Sequence, residues 1–231
     1  DYLSRTRRKM GDYETAVRLQ NQSMDLRIAL RDRKGEAQSL NELGNLAHLE
    51  FKNEEAFEYH TKALEIRQEI GDDEGVAASL NNLGNIEIRK GNRDEAMSLY
   101  WKSLEIEEAL QNQIGIAKSK FNIGLRLRES GEEDRGRELI EDALNVFRVL
   151  AAKRLEMKAL KSIGGNDNLE KALRIARKLA DPEDPESLRE QAGLAIWLGE
   201  NHEDEGNLDR ADELFREALD IVTRLEDLER V

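Results

Sequence analysis

Apolar and small residues recur along most of this chain at three- and four-residue steps, the spacing of a helix with one buried stripe. Between Glu54 and Ile70 the stripe runs through Ala56, His60, Ala63, Leu64, Ile66 and Ile70. Polar and glycine-bearing runs break the stripes. Asp72-Asp73-Glu74 ahead of Gly75, and Gly91-Asn92-Arg93-Asp94, carry turn and helix-cap chemistry. The pattern predicts amphipathic helices joined in pairs by short turns.

The pattern also repeats. Ser39-Leu40-Asn41-Glu42-Leu43-Gly44-Asn45 returns forty residues later as Ser79-Leu80-Asn81-Asn82-Leu83-Gly84-Asn85, and more loosely as Ser119-Lys120-Phe121-Asn122-Ile123-Gly124. Gly44, Gly84, Gly124 and Gly164 share this register; Ala16, Ala56, Ala96 and Gly136 form a second series. Gly35, Gly75 and Gly115 form a third, read as punctuation between repeats. A fixed period of this size marks a stack of like units, each burying its apolar face against the next. Small residues at fixed positions fit helices that cross too closely for large side chains.

Leu83-Gly84, Ala96 and Tyr100, and likewise Leu43-Gly44, Ala56, His60 and Ala63, resemble the tetratricopeptide repeat. The forty-residue period and the Leu-Gly-Asn core are similar to the longer branch found in kinesin light chains and Pins-like adaptors. The resemblance implies an all-α, right-handed superhelical solenoid of antiparallel helix pairs spanning 1–231. The units would be an incomplete first (1–35), then 36–75, 76–115, 116–155, a shortened fifth (156–185) and a last unit with a capping helix (186–231). Ala47, Glu87 and Leu127 stand where the family usually has Tyr, so aromatic packing inside the hairpin is thinner. Gly164 to Asn168 is read as the turn of the short unit, and 181–185, with two Pro, as a break.

Such a stack lines one concave wall with the first helix of each pair. At 100° per residue, the face opposite Leu43, Gly44 and Ala47 carries Gln38, Asn41, Asn45 and His48. The next helices add Asn81, Asn85 and Arg89, then Lys118, Phe121, Leu125 and Arg128, with Asn122 beside them. A carboxamide both donates and accepts, so a ladder of Asn41, Asn45, Asn81 and Asn85 would bracket the backbone of an extended peptide. The resemblance implies the same role for groove asparagines. The alternative is that Asn41 and Asn81 bond the neighbouring helix and fix repeat register. Lys118 and Arg128 flanking Phe121 and Leu125 would suit an acidic-hydrophobic segment. Ile196, Glu200 and Glu203 would turn the last unit's face acidic, with Trp197 packed beside it.

The remaining chemistry is negative. The 231 residues carry a formal net charge of −13, which disfavours phosphate backbones and anionic membranes. With no Cys, disulfides and thiolate sites are excluded, which fits a cytoplasmic location. His48, His60 and His202 fall at different repeat positions, and His60 and His202 read as core fillers rather than metal ligands. Glu87, facing the core, reads as ion-paired. No nucleophile–base pair is visible, so neither an enzyme nor a cofactor is expected. The expected function is a scaffold or adaptor that binds a protein or peptide segment; the alternative is the sensing arm of a larger signalling or transcription-regulating protein. The opening at Asp1 without Met reads as an excised fragment, and an uncapped end would allow self-association.

Overall fold

In the computed structural model the described residues are 4, 7, 12–182 and 184–229, the last three in backbone only. Eleven helices lie among them: α1 (Tyr13–Ala29), α2 (Arg33–Leu49), α3 (Asn53–Glu69), α4 (Asp73–Lys90), α5 (Arg93–Ala109), α6 (Gln113–Glu129), α7 (Glu133–Val149), α8 (Lys153–Ile163), α9 (Asn166–Leu179), α10 (Pro185–Asp204) and α11 (Leu208–Glu229). This is an all-α repeat solenoid built from helix pairs. Packing divides it into two compact units, Asp1–Leu139 and Ile140–Val231, with the division inside α7. The leading part of the first repeat, apart from Ser4 and Arg7, lies outside the described residues, as do Glu183, Arg230 and Val231.

The turns explain the even helix lengths. At the end of α5, Gln111 N–H donates to the Glu108 carbonyl and Asn112 N–H reaches back to Glu107, both at 3.0 Å. The pivot residue is left-handed in every such turn: Arg31, Phe51, Gly71, Gly91, Gln111, Gly131, Ala151 and Gly206 all have positive φ. This two-bond closure satisfies carbonyls that the helix end would otherwise orphan. The next helix starts at once, and Asp32 and Asn112 accept from the amides of Gly35 (2.9 Å) and Gly115 (3.3 Å). Asn92 instead gives its Nδ2 to Glu87 at 2.6 Å.

The glycine series have distinct steric causes. A Cβ at Gly44 would lie 2.6 Å from the His60 ring, one at Gly84 2.6 Å from Tyr100, and one at Gly199 2.6 Å from Phe215. Each partner stands sixteen residues downstream, so in these three repeats a ring packs against the glycine of the preceding helix. A Cβ at Gly136 would lie 2.5 Å from the Gly124 carbonyl oxygen.

Gly35, Gly75 and Gly115 do not punctuate turns. They are buried in the first turns of α2, α4 and α6, where a Cβ would strike Asp32, Asp72 or Glu107. Gly164 also departs from its series. It lies past the end of α8 with φ of 76°, and α9 begins at Asn166, so the turn is Gly164-Gly165 alone.

A second repeated device was not anticipated. Arg27 Nη1 donates to the Gly35 carbonyl (2.6 Å) and Ser39 Oγ (2.9 Å), and Arg67 does the same to Gly75 (3.0 Å) and Ser79 (2.7 Å). A guanidinium thus clamps the second helix of one pair to the first helix of the next. In the following repeat the position is Glu107, which is 4 % exposed and leaves Oε2 without a partner. In the second unit, α9 and α11 are stitched by charge: Arg177 meets Glu217 through two bonds (2.9 and 2.5 Å) and Arg210 meets Glu170 at 2.8 Å.

Candidate functional site: the first helices of the first unit

The anticipated face belongs to α2, α4 and α6. Gln38, Ala78 and Lys118 occupy one register and are all exposed. Two turns on, Asn45 and Leu125 are half-buried and Asn85 is exposed. The forty-residue register therefore places equivalent residues at the surface of three successive first helices.

The asparagines divide into two sets. Asn82 Nδ2 donates to Asn41 Oδ1 at 2.9 Å, and Asn122 Nδ2 to Asn81 Oδ1 at 3.0 Å. Asn81 Nδ2 is engaged as well, with Ser103 Oγ at 2.5 Å and Ser119 Oγ at 3.0 Å. Ser103 and Ser119 are fully buried, and Ser103 donates to the Ala77 carbonyl at 2.9 Å. Asn41, Asn81 and Asn122 therefore tie one first helix to the next, the register role weighed as the alternative. Asn45 makes no side-chain hydrogen bond among the described residues. Asn85 accepts from Tyr100 Oη at 2.8 Å and is otherwise presented to solvent.

His48 and Arg89 are joined through the backbone, Arg89 Nη1 donating to the His48 carbonyl at 2.6 Å. Burial, and then Arg89, push the His48 imidazole below its ordinary range. His60 is pushed further, to about 4, by burial first and then by His48 and Arg67. It is a neutral core ring, as its place on Gly44 requires. His202 is only half-buried and Trp197 is 36 % exposed, so neither fills a core.

The basic character of α6 is largely neutralised. Arg126 pairs with Glu129 at 2.8 Å and Arg128 with Glu133 at 2.7 Å. Phe121 is half-buried, and Lys118 forms no ion pair among the described residues. Glu87 is ion-paired as expected: burial pushes its carboxyl up, but bonds from Lys90 (2.7 Å) and Asn92 (2.6 Å) outweigh this and hold it below the ordinary range.

Asn82, Ser103, Ser119 and Tyr100 take part in this network and are not among the expected site residues. The signal for two of them was present, because Asn82 and Asn122 stand forty apart, as do Ser39, Ser79 and Ser119. No group of three or more His, Cys, Asp or Glu among the described residues is arranged to hold a metal ion. No helix among them is long and apolar enough to cross a membrane.

A tetratricopeptide-repeat family model matches residues 2–69 and, overlapping, 35–109. Residues 2–109, just under half of the chain, are thus similar to tetratricopeptide repeats. No curated protein matches the chain in sequence. Among solved structures it is similar to BtubC (BKLC) from P. vanneervenii, at 18 % identity over 93 % of this chain and 92 % of that one, with a TM-score of 0.71. It is also similar to the Rap conjugation gene regulator of plasmid pLS20, solved in complex with the Phr* peptide. There the identity is 14 %, over 97 % of this chain and 61 % of that one, with a TM-score of 0.72. A Podospora anserina kinesin light chain with nearly identical repeats aligns at 15 % identity over 81 % of this chain and 95 % of that one, with a TM-score of 0.52. At these identities the tetratricopeptide-repeat likeness is one of fold.

Proposed function

We propose that the first unit is a protein-interaction module that holds an extended segment of a partner along the first helices α2, α4 and α6. The observation that carries this is the set of ties between those helices: Asn82 to Asn41, Asn122 to Asn81, and Arg89 to the His48 carbonyl. They fix the spacing of three helix faces in one register, so a bound chain meets a side chain at equivalent positions of each, Asn45, Asn85 and Leu125 in turn. On this reading Asn41, Asn81 and Asn122 position the wall. Asn45, Asn85, Arg89, Lys118 and Leu125 touch the partner, with His48, Phe121 and Arg128 bordering them.

An exposed carboxamide supplies a donor and an acceptor to a passing peptide bond, which holds backbone with little demand on side chains. Lys118 and Arg89, cations without ion pairs among the described residues, favour a partner bearing carboxylates, and Leu125 favours apolar groups beside them. The acidic-hydrophobic segment expected from the sequence is the partner this surface fits best. An adaptor and the sensing arm of a longer protein would use the same wall. The neighbour solved with a peptide supports this reading by showing that the fold accommodates one.

The test is selection of a displayed peptide library on the purified chain. Enriched peptides should lose at least about tenfold in affinity, roughly 1.4 kcal/mol, against Asn45→Ala/Asn85→Ala, while that variant stays folded and loses only the about 1 kcal/mol of the Tyr100–Asn85 bond. Equal binding by that variant, or no enrichment at all, would refute the proposal.

A further inference from the structure

Phe51 is the strangest residue on the surface of the first unit. It is the pivot of the turn between α2 and α3, with φ of 61°, a conformation unfavourable for a bulky L side chain. Forty and eighty residues later the same pivot is Gly91 and Gly131, at φ of 86° and 96°. The strain is not offset by burial, since Phe51 is 77 % exposed. A large aromatic held strained and in water where the repeat elsewhere uses glycine is a candidate for a role outside the fold.

Its one ring contact among the described residues is informative. The Arg89 guanidinium lies over the ring, 4.9 Å from the centroid, while Nη1 is held by the His48 carbonyl. The cation is thus fixed in place by a stack and a hydrogen bond. It is also unneutralised: Arg89 forms no ion pair among the described residues of a chain with a net charge of −13. Nearby carboxylates are already engaged, Glu50 by Lys52 at 3.3 Å and Glu87 by Lys90 at 2.7 Å. Lys90 in turn sits 4.5 Å from the centroid of the Phe57 ring, which packs against the core.

We propose that Phe51 and Arg89 form a docking platform for an acidic segment carrying an aromatic side chain. The proposal rests on the protein-interaction reading above and extends it from the helix faces to the turn that borders them. Arg89 retains donors that a carboxylate takes up in a fork, and desolvation by the bound segment strengthens that pair. The open surface of the Phe51 ring receives the partner's aromatic in offset or edge-on stacking. A basic segment would meet Arg89, Lys90 and Lys52 unfavourably, which sets the sign of the partner's charge.

The probes are three synthetic peptides: acetyl-Glu-Asp-Trp-Glu-Asp-amide, the same peptide with Ala for Trp, and the same with Lys for each acidic residue. The full chain should bind the first by calorimetry, the second at least about fivefold more weakly, and the third not measurably. Phe51→Gly should weaken the first peptide about tenfold while raising the melting temperature by about 2–4 °C, because the strain is relieved. Arg89→Gln should weaken it comparably. A lower melting temperature for Phe51→Gly would make the ring a structural part and overturn the proposal, as would equal binding of the Lys peptide or no binding of the first. A dimer that Phe51→Gly dissociates would assign the platform to a second copy and equally overturn it. Library peptides that depend on Asn45 and Asn85 but ignore Phe51→Gly would sink this proposal alone, whereas failure to enrich any peptide would sink both.

Discussion

Asn122 donates to Asn81 at 3.0 Å while Asn81 donates to Ser119, also at 3.0 Å, so α6 grips one α4 side chain from two positions. Asn is a poor helix former, and its mid-helix use here is compensated by these bonds rather than by contact with water. The wall of first helices is therefore held by the carboxamides that a sequence reading assigns to the ligand.

Removing Asn81 should cost stability. Asn81→Ala leaves Ser103, Ser119 and Asn122 short of a partner, and should lower the urea unfolding free energy by roughly 1–3 kcal/mol. Asn45→Ala, with no internal hydrogen bond to lose, should stay within about 0.5 kcal/mol of the parent. Equal effects of the two substitutions would contradict this division of roles.

Glu107 should make stability depend on pH in one direction. Burial pushes its carboxyl above the ordinary range, with Asn112 and Lys118 acting against this and Glu74 with it. The folded state then holds the proton more tightly than the unfolded chain. This residue's contribution is therefore least unfavourable below about pH 4 and worsens as pH rises through the folded value. Glu107→Gln should raise the urea midpoint at about pH 7.5, and the gain should shrink toward zero near about pH 4. A pH-independent difference would show that the fold does not raise this carboxyl above its ordinary range.

Two further pivots carry avoidable strain. Gln111 and Ala151 have φ of 54° and 53°, where Gly71 serves in an equivalent turn. Gln111→Gly and Ala151→Gly should each stabilise by about 1 kcal/mol, read as a higher melting temperature. A fall in either would mean that unfolded-state entropy outweighs the strain.

The ring seated on Gly84 leaves no room for a methyl group. Gly84→Ala would place its Cβ 2.6 Å from Tyr100 and should cost about 1–3 kcal/mol in urea unfolding. Tyr100→Phe keeps the packing and loses the bond to Asn85, so about 1 kcal/mol is expected.

The fold was legible because its causes repeat. A ring packed on a glycine needs the same pairing at the same separation wherever it recurs, and Gly44 with His60 and Gly84 with Tyr100 display that requirement openly. The site was only partly legible. The face of α2, α4 and α6 follows from helical geometry, but whether Asn81 points outward or to a neighbour depends on Ser103 and Ser119, which arrive from two other helices. The Arg27 and Arg67 clamps were equally periodic, yet a basic residue near a helix end reads as ordinary charge until its carbonyl partner is seen. Phe51 stands out only when aligned with Gly91 and Gly131 and when its backbone angle is known.

The most direct test of the central claim is an amide chemical-shift map of the chain with a library-selected peptide bound. Perturbations should concentrate at Gln38, Asn45, Asn85, Arg89, Lys118 and Leu125 on α2, α4 and α6. Perturbations centred instead on the second helices, at Glu58, Glu65 or Lys102, would contradict it.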